Sequence, residues 1–439
     1  MKYFISLLLT LTLQISFAQY PVVLTQRDQA KVIDDLLEDR LRTLLPDLMR
    51  REGFDMWVVI SREYNEDPII KTMLPATWMA SRRTTMLVVF DKGTEMEYLA
   101  VARYDVGKVF KRAWEPDANP DQWAQLSKII SERNPKKVGV DKAASWGHAD
   151  GISSNDYDKM IGTLPKNLQA KVVSAEKLGV AWLETRTEKE MAIYPQMCRI
   201  AHDIIEEGFS DKVVQPGVTT TEDIVWWYRE KIKELKLDTW FHPSVSVQRN
   251  ESDAITSKRP APLVILRGDL LHVDFGITYL RLNTDTQQHA YILKVGETNA
   301  PEFLRNAFKK GNRLQDILTS SFKEGKTGNQ ILAESRKQAI DEGITPSIYT
   351  HPIGFHGHAA GTVIGMWDFQ GGVAYGDYPM HYNTAYSIEL NCSVNIPEWK
   401  KDVRIQLEED GFYDENGFRY IDGRQTELIL IPQPIPNAK

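Results

Sequence analysis

Apolar and polar positions along the chain switch repeatedly between a helical period and a strand period, and the switches predict the order of elements. Asp28 to Glu52 carries apolar residues at helical spacing among many charges. Met56-Trp57-Val58-Val59-Ile60 is an unbroken apolar run of strand length, and Thr85-Met86-Leu87-Val88-Val89-Phe90 is another. The turn Asp91-Lys92-Gly93-Thr94 leads into a strand at Glu97 to Val101, which predicts a hairpin. A helix from about Pro120 to Arg133, a strand at Lys137 to Asp141, a helix near Ser154 to Leu164 and a strand at Ala170 to Ser174 complete an α/β domain of typical size.

Thr185 to Gly208 then reads as a charged amphipathic helix in which Pro195 marks a kink or a join between two helices. This segment is the candidate boundary, giving an α/β domain over 19–180 and a second domain over 181–439. Beyond it, Thr219-Thr220-Thr221-Glu222 fits a capping box ahead of Ile224-Val225-Trp226-Trp227. Strands are predicted at Ser244 to Val247, Leu271 to Gly276 and His289 to Val295, helix over Pro301 to Gly343, and strands again around Glu389 and Glu408. The tryptophans Trp226 and Trp227 read as helix packing.

Composition changes this picture in three ways. Lys2, the apolar run around Leu7 to Leu13 and the small residues ending at Ala18 read as a secretory signal peptide over 1–18, so the expected location is secreted or periplasmic, with no membrane segment after cleavage. Roughly 420 mature residues exceed what one core organises, which supports two domains. Cys198 and Cys392 are too few and too far apart for a disulfide framework, and the formal charge of -7 argues against nucleic acid as a partner.

The candidate chemistry lies in an ordered set of polar residues. Asp274 in Leu271-His272-Val273-Asp274 and Asp285 in Leu282-Asn283-Thr284-Asp285 sit on stretches that read as antiparallel neighbours. His351 opens His351-Pro352-Ile353-Gly354-Phe355-His356-Gly357-His358, Glu389 lies in the half-apolar Tyr386-Ser387-Ile388-Glu389, and Glu408 follows Ile405-Gln406-Leu407. A carboxylate buried in such a strand is costly unless a cation answers it. Four carboxylates and one imidazole form an oxygen-rich set suited to two divalent ions, manganese foremost, with cobalt, zinc or iron as options.

These residues resemble the creatinase/aminopeptidase "pita-bread" metallopeptidase superfamily, and within it the Xaa-Pro aminopeptidase and prolidase branch. The resemblance implies an α/β N-terminal domain followed by an α+β pita-bread catalytic domain. It implies Asp274, Asp285, His351, Glu389 and Glu408 as metal ligands, Glu389 also as general base or proton shuttle, and His358 as a catalytic histidine facing substrate. His356 competes with His358 and His351 for these places; His351 is preferred because His358 then falls seven residues on. At the last glutamate, Ile405-Gln406-Leu407-Glu408-Glu409-Asp410 followed by Asn416-Gly417 matches the family without a gap, so Glu408 is the ligand and Gln406 stands where arginine is common.

Three departures accompany the match. Thr286-Gln287-Gln288-His289 replaces a Thr-Arg-Thr stretch, Glu389-Leu390-Asn391 replaces Glu-Pro-Gly, and the neighbourhood Ala254-Ile255-Thr256-Ser257-Lys258 lacks the family's upstream substrate-binding histidine. His242 lies too early to stand in for it, whereas Ser257, Lys258 and His356 are candidate replacements. The expected activity is hydrolysis of a short peptide near its N-terminus, Xaa-Pro bonds included, with a second copy of the chain as an optional partner. The rival expectations are a non-catalytic binding protein of the same fold and a creatinase-like or lyase-like enzyme acting on a small metabolite.

Overall fold

The structure is a computed structural model that describes residues 20–250 and 262–432. The expected signal peptide and the Ala254 to Lys258 neighbourhood lie outside the described residues.

The apolar runs of the first half assemble one six-stranded sheet. Its order is Lys111–Arg112, Met96–Val101, Thr84–Asp91, Met56–Arg62, Val138–Val140 and Val172–Ser174. Thr84–Asp91 pairs antiparallel with both of its neighbours, which places the predicted hairpin where the Gly93 turn requires it. Val138–Val140 runs parallel to Met56–Arg62 and to Val172–Ser174. Because both faces are covered, Met56–Arg62 has no polar alternation: Trp57 and Val59 enter one apolar cluster while Met56, Val58 and Ile60 enter the other.

Helix Glu176–Glu184 was not predicted, and it contributes Leu178, Val180, Ala181, Trp182 and Leu183 to the first of those clusters. The expected boundary at residue 180 therefore falls inside an element whose apolar face belongs to the N-terminal layer. The amphipathic segment after it is two helices, Glu188–Met191 and Tyr194–Gly208, with Pro195 in the first turn of the second, where its missing N–H costs nothing. The next helix, Thr221–Glu234, begins one residue later than expected. Thr220 is the cap because Asp223, not Glu222, returns the reciprocal hydrogen bond. Trp227 packs on the core, but Trp226 is exposed and lies against His242.

The second half holds three further sheets of three or four strands. One is ordered Ile429–Ile431, Thr286–Ile292, Leu270–Phe275, Ser244–Gln248; its second strand starts earlier than the expected His289. Another joins Thr345–Ile348, Leu390–Ile396 and Lys401–Leu407, and the third joins His351–Pro352, Thr384–Ser387, Asp410–Asp414 and Gly417–Tyr420. Helices Glu302–Ser320 and Gly328–Asp341 divide the predicted helical region and pack on these sheets. This is the mixed α/β architecture expected, an N-terminal domain followed by an α+β domain. No helix among the described residues is long and apolar enough to cross a membrane.

Candidate metal centre

The site is built where strands exchange partners. Thr384–Ser387 pairs with Asp410–Asp414, and Leu390–Ile396 pairs with Lys401–Leu407, in one continuous register interrupted at Glu389 and Glu408. There the backbone of Glu408 leaves its ladder and pairs with Gln287, whose neighbour on the other side is Asp274. Residues directly opposite across strands point to one face, so Asp274, Gln287, Glu408 and Glu389 form a row. The first sheet thus brings the aspartates, and the strand exchange brings the glutamates to them.

His351 and Asp285 close the cluster. The strand His351–Pro352 pairs with Ser387, whose hydroxyl donates to Glu408 Oε1 at 2.5 Å. His351 Nε2 lies 3.9 Å from Asp285 Oδ2, 3.9 Å from Glu389 Oε2 and 3.7 Å from Glu408 Oε1. Its Nδ1 donates to the carbonyl of Pro352 at 3.0 Å, which turns Nε2 toward the carboxylates. Gly354 lets this loop approach Arg186: a Cβ there would come 2.9 Å from the guanidinium carbon. The Gly354 carbonyl in turn accepts hydrogen bonds from the backbone and side chain of Asn283, which ties the histidine loop to the strand before Asp285.

The floor of the cluster is closed off from the surface. Asp285, His351 and Glu408 are buried, Asp274 and Glu389 are half-buried, and His358 is exposed at the rim. The His358 ring meets His351 edge-on at 4.8 Å and is flanked by Trp240 at 5.1 Å. Although part of His358 is open to solvent, the packing of its ring against neighbouring rings withdraws it from water, and this, with the adjacent His351 imidazole, lowers its pKa to about 4. Burial, then the charge of Glu408, raises Asp274 and Glu389 well above the ordinary carboxyl range. Asp285 is raised by the same causes, with Asp274 and Glu389 adding to the repulsion. Burial also acts to raise Glu408, but His351, Ser387 and Gln287 outweigh it and lower its pKa.

The donor set fits divalent ions on two observations. Asp274 Oδ1, Asp285 Oδ1 and His351 Nε2 are buried atoms with no hydrogen-bond partner, which a native interior rarely tolerates. Single ligand atoms of Asp274, Asp285 and Glu408 lie within 4.8 Å of one another, as do those of His351, Glu389 and Glu408, and those of Asp285, His351 and His358. Gln406, the competing position for Glu408, pairs with Asn391 in the strand before the exchange.

A family model, metallopeptidase family M24, matches residues 193–411, which span every residue of the cluster. The chain belongs to metallopeptidase family M24. Members of this family depend on metal, and the clusters above are groups, among the described residues, that could hold it. Among solved structures, the chain is similar to an X-Pro aminopeptidase from Thermotoga maritima at 15% identity, with a TM-score of 0.62 over 88% of this chain and 99% of that one. An Xaa-Pro dipeptidase from Bacillus anthracis matches at 15% identity and a TM-score of 0.58, covering 92% and 100% of the two chains. A prolidase from Pyrococcus horikoshii matches at 13% identity and a TM-score of 0.53, covering 92% and 100%. No curated protein matches the chain in sequence.

The other sequence candidates scatter. His356 is half-buried and its ring meets His148, a residue of the N-terminal domain, at 4.6 Å. His242 turns away to Arg229 and Trp226. Sequence reasoning assigned no role to Ser387, Trp240, His272 or Gln287. Strand alternation was the available signal, since His272 shares a face with Asp274, and Gln287 follows Asp285 by two.

Proposed function

We propose that this M24 metallopeptidase removes an N-terminal residue from short peptides, or splits dipeptides, through two divalent ions held by Asp274, Asp285, His351, Glu389 and Glu408. The orphaned buried acceptors of the cluster carry this reading, because a cluster with no cation would leave them both unpaired and mutually repelling. When bound, such ions polarise the scissile carbonyl and lower the pKa of the attacking water, with manganese, cobalt, iron or zinc all suited to the donors.

The protein's own residues supply the rest. Glu389, half-buried and next to Glu408 in the row, receives the proton of the attacking water and passes it to the leaving nitrogen. His358, neutral and exposed at the rim, donates an N–H to the oxygen that gains charge. The burial of Glu408 and its neighbours keeps these charges strong. Fold relatives named for Xaa-Pro bonds support proline in second position as part of the substrate range. Export with loss of residues 1–18 belongs to the same proposal and is checked by N-terminal sequencing of the mature protein.

Protein loaded with each metal in turn would be offered dipeptides and tripeptides with and without proline in second position, and release followed by mass spectrometry. We expect metal-dependent hydrolysis. Full occupancy by two ions with no amide cleaved under any metal would sink the peptidase reading.

A further inference from the structure

Gln287 stands in the middle of the carboxylate row, between Asp274 on one strand and Glu408 on the other, and the chemistry above leaves it unused. Its side chain is buried, and its Nε2 donates to Glu408 Oε2 at 2.6 Å and to Glu389 Oε1 at 3.1 Å. Its Oε1 lies 2.8 Å from His272 Nε2, and His272 is itself buried with its other ring nitrogen 3.4 Å from Ser246 Oγ. In the proposed two-ion site both glutamates are ionised and only accept hydrogen bonds, so the amide must turn its NH2 to them and its carbonyl to the ring. His272 Nε2 therefore carries a proton. An imidazole donor at that position makes the reversed amide unfavourable, because reversal would set N–H against N–H and a carbonyl against two carboxylates.

The oxygens of the two glutamates are divided by this arrangement. Glu408 Oε2 and Glu389 Oε1 go to Gln287, whereas Glu408 Oε1 and Glu389 Oε2 lie toward His351 Nε2, at 3.7 Å and 3.9 Å. We propose that Gln287, locked in one amide orientation by His272, is a positioning residue of the metal centre that holds one oxygen of each glutamate and turns the other, which at Glu408 also accepts from Ser387, toward the ions. The amide draws two like charges together without adding a charge of its own. This inference rests on the proposed two-ion site.

The experiment compares metal-stripped wild type with Gln287→Met, His272→Leu, His272→Gln and the double variant Gln287→Met with His272→Leu. Manganese binding would be measured by titration calorimetry, the cobalt-loaded absorption spectrum recorded, and the melting temperature of each stripped protein taken. Gln287→Met should weaken at least one ion by about 10-fold or more and shift the cobalt bands. His272→Leu should do the same, His272→Gln, which keeps an N–H donor, should recover most of the loss, and the double variant should be no worse than Gln287→Met alone. Wild-type affinity and cobalt bands in Gln287→Met and His272→Leu, whatever their melting temperatures, would overturn the proposal and leave Gln287 as strand packing. Additive losses would overturn the part assigned to His272. Wild type that binds two ions but cleaves no peptide leaves this inference standing while removing the proposed activity. Wild type that binds no divalent ion overturns both.

Discussion

Replacing Asp285 by asparagine should stabilise the metal-free protein, although it removes a proposed metal ligand. Asp285 Oδ1 is buried without a hydrogen-bond partner, so the substitution forfeits no such bond there. Ligand atoms of Asp274, Asp285 and Glu408 lie within 4.8 Å of one another. Two like charges at that spacing repel by about 3.5 kcal/mol at an effective dielectric of about 20, and proton uptake limits the cost that is felt. Burial, then Glu408, Asp274 and Glu389, raises the folded-state pKa of Asp285 well above its unfolded value. A carboxyl raised in this way helps the folded state fully below its unfolded pKa, near 4, and that help is lost as pH rises through the folded pKa. Stripped wild type should therefore lose stability from pH 5 to pH 8, and Asp285→Asn should lose less. We expect the stripped variant at pH 8 to be more stable by about 2 kcal/mol, or about 4–8 °C in melting temperature, with little difference at pH 5. Adding manganese should reverse the order, because ligand binding at a hundred-fold excess over Kd stabilises wild type by about 2.7 kcal/mol per site and the variant lacks a ligand. Scanning calorimetry in chelator and in manganese at the two pH values reads all four cases. A stripped variant that melts below wild type at pH 8 would refute the repulsion argument.

The same logic gives three further expectations. His202 bonds Glu409 at 2.7 Å and Asp422 at 2.9 Å; burial acts to lower its pKa, but the two carboxylates raise it to about 10. Its contribution is full below the unfolded value near 6.5 and is lost as pH rises toward 10, so wild type should exceed His202→Gln by about 1–3 kcal/mol at pH 6 in urea unfolding, with the gap closing by pH 10. Arg40 pairs with Glu190 at 2.7 Å in a buried group that includes Arg186, and both arginines lie against the Phe355 ring. Arg40→Met should cost about 3 kcal/mol in the same assay, and a loss below 1 kcal/mol would show that Arg186 alone satisfies Glu190. His358→Ala should lower turnover by roughly 10²-fold while plasma emission analysis finds the metal content unchanged; lost metal would instead make His358 a ligand.

Much of the architecture was legible in local pattern because local pattern caused it. The run Thr85 to Phe90 and the Gly93 turn fix the first hairpin, and the helix capped at Thr220 was misplaced by only one residue because Asp223 and Glu222 are both acids able to close the box. Helix Glu176–Glu184 was missed because nearly every position of it is buried, so the two-sided period that betrays a surface helix is absent. At the site, the order Asp274, Asp285, His351, Glu389, Glu408 is a property of the sequence and its family resemblance. The sequence alone could not say that Glu408 abandons its own ladder for Gln287, since strand pairing across more than a hundred residues depends on how whole sheets pack. That exchange aligns Asp274, Gln287, Glu408 and Glu389 in one row, beside which Asp285 Oδ1 and His351 Nε2 stand without partners. Residue types and their order determined which chemistry the chain can support; burial and cross-strand register, which exist only once the sheets are packed, decided which oxygens and nitrogens are free to perform it.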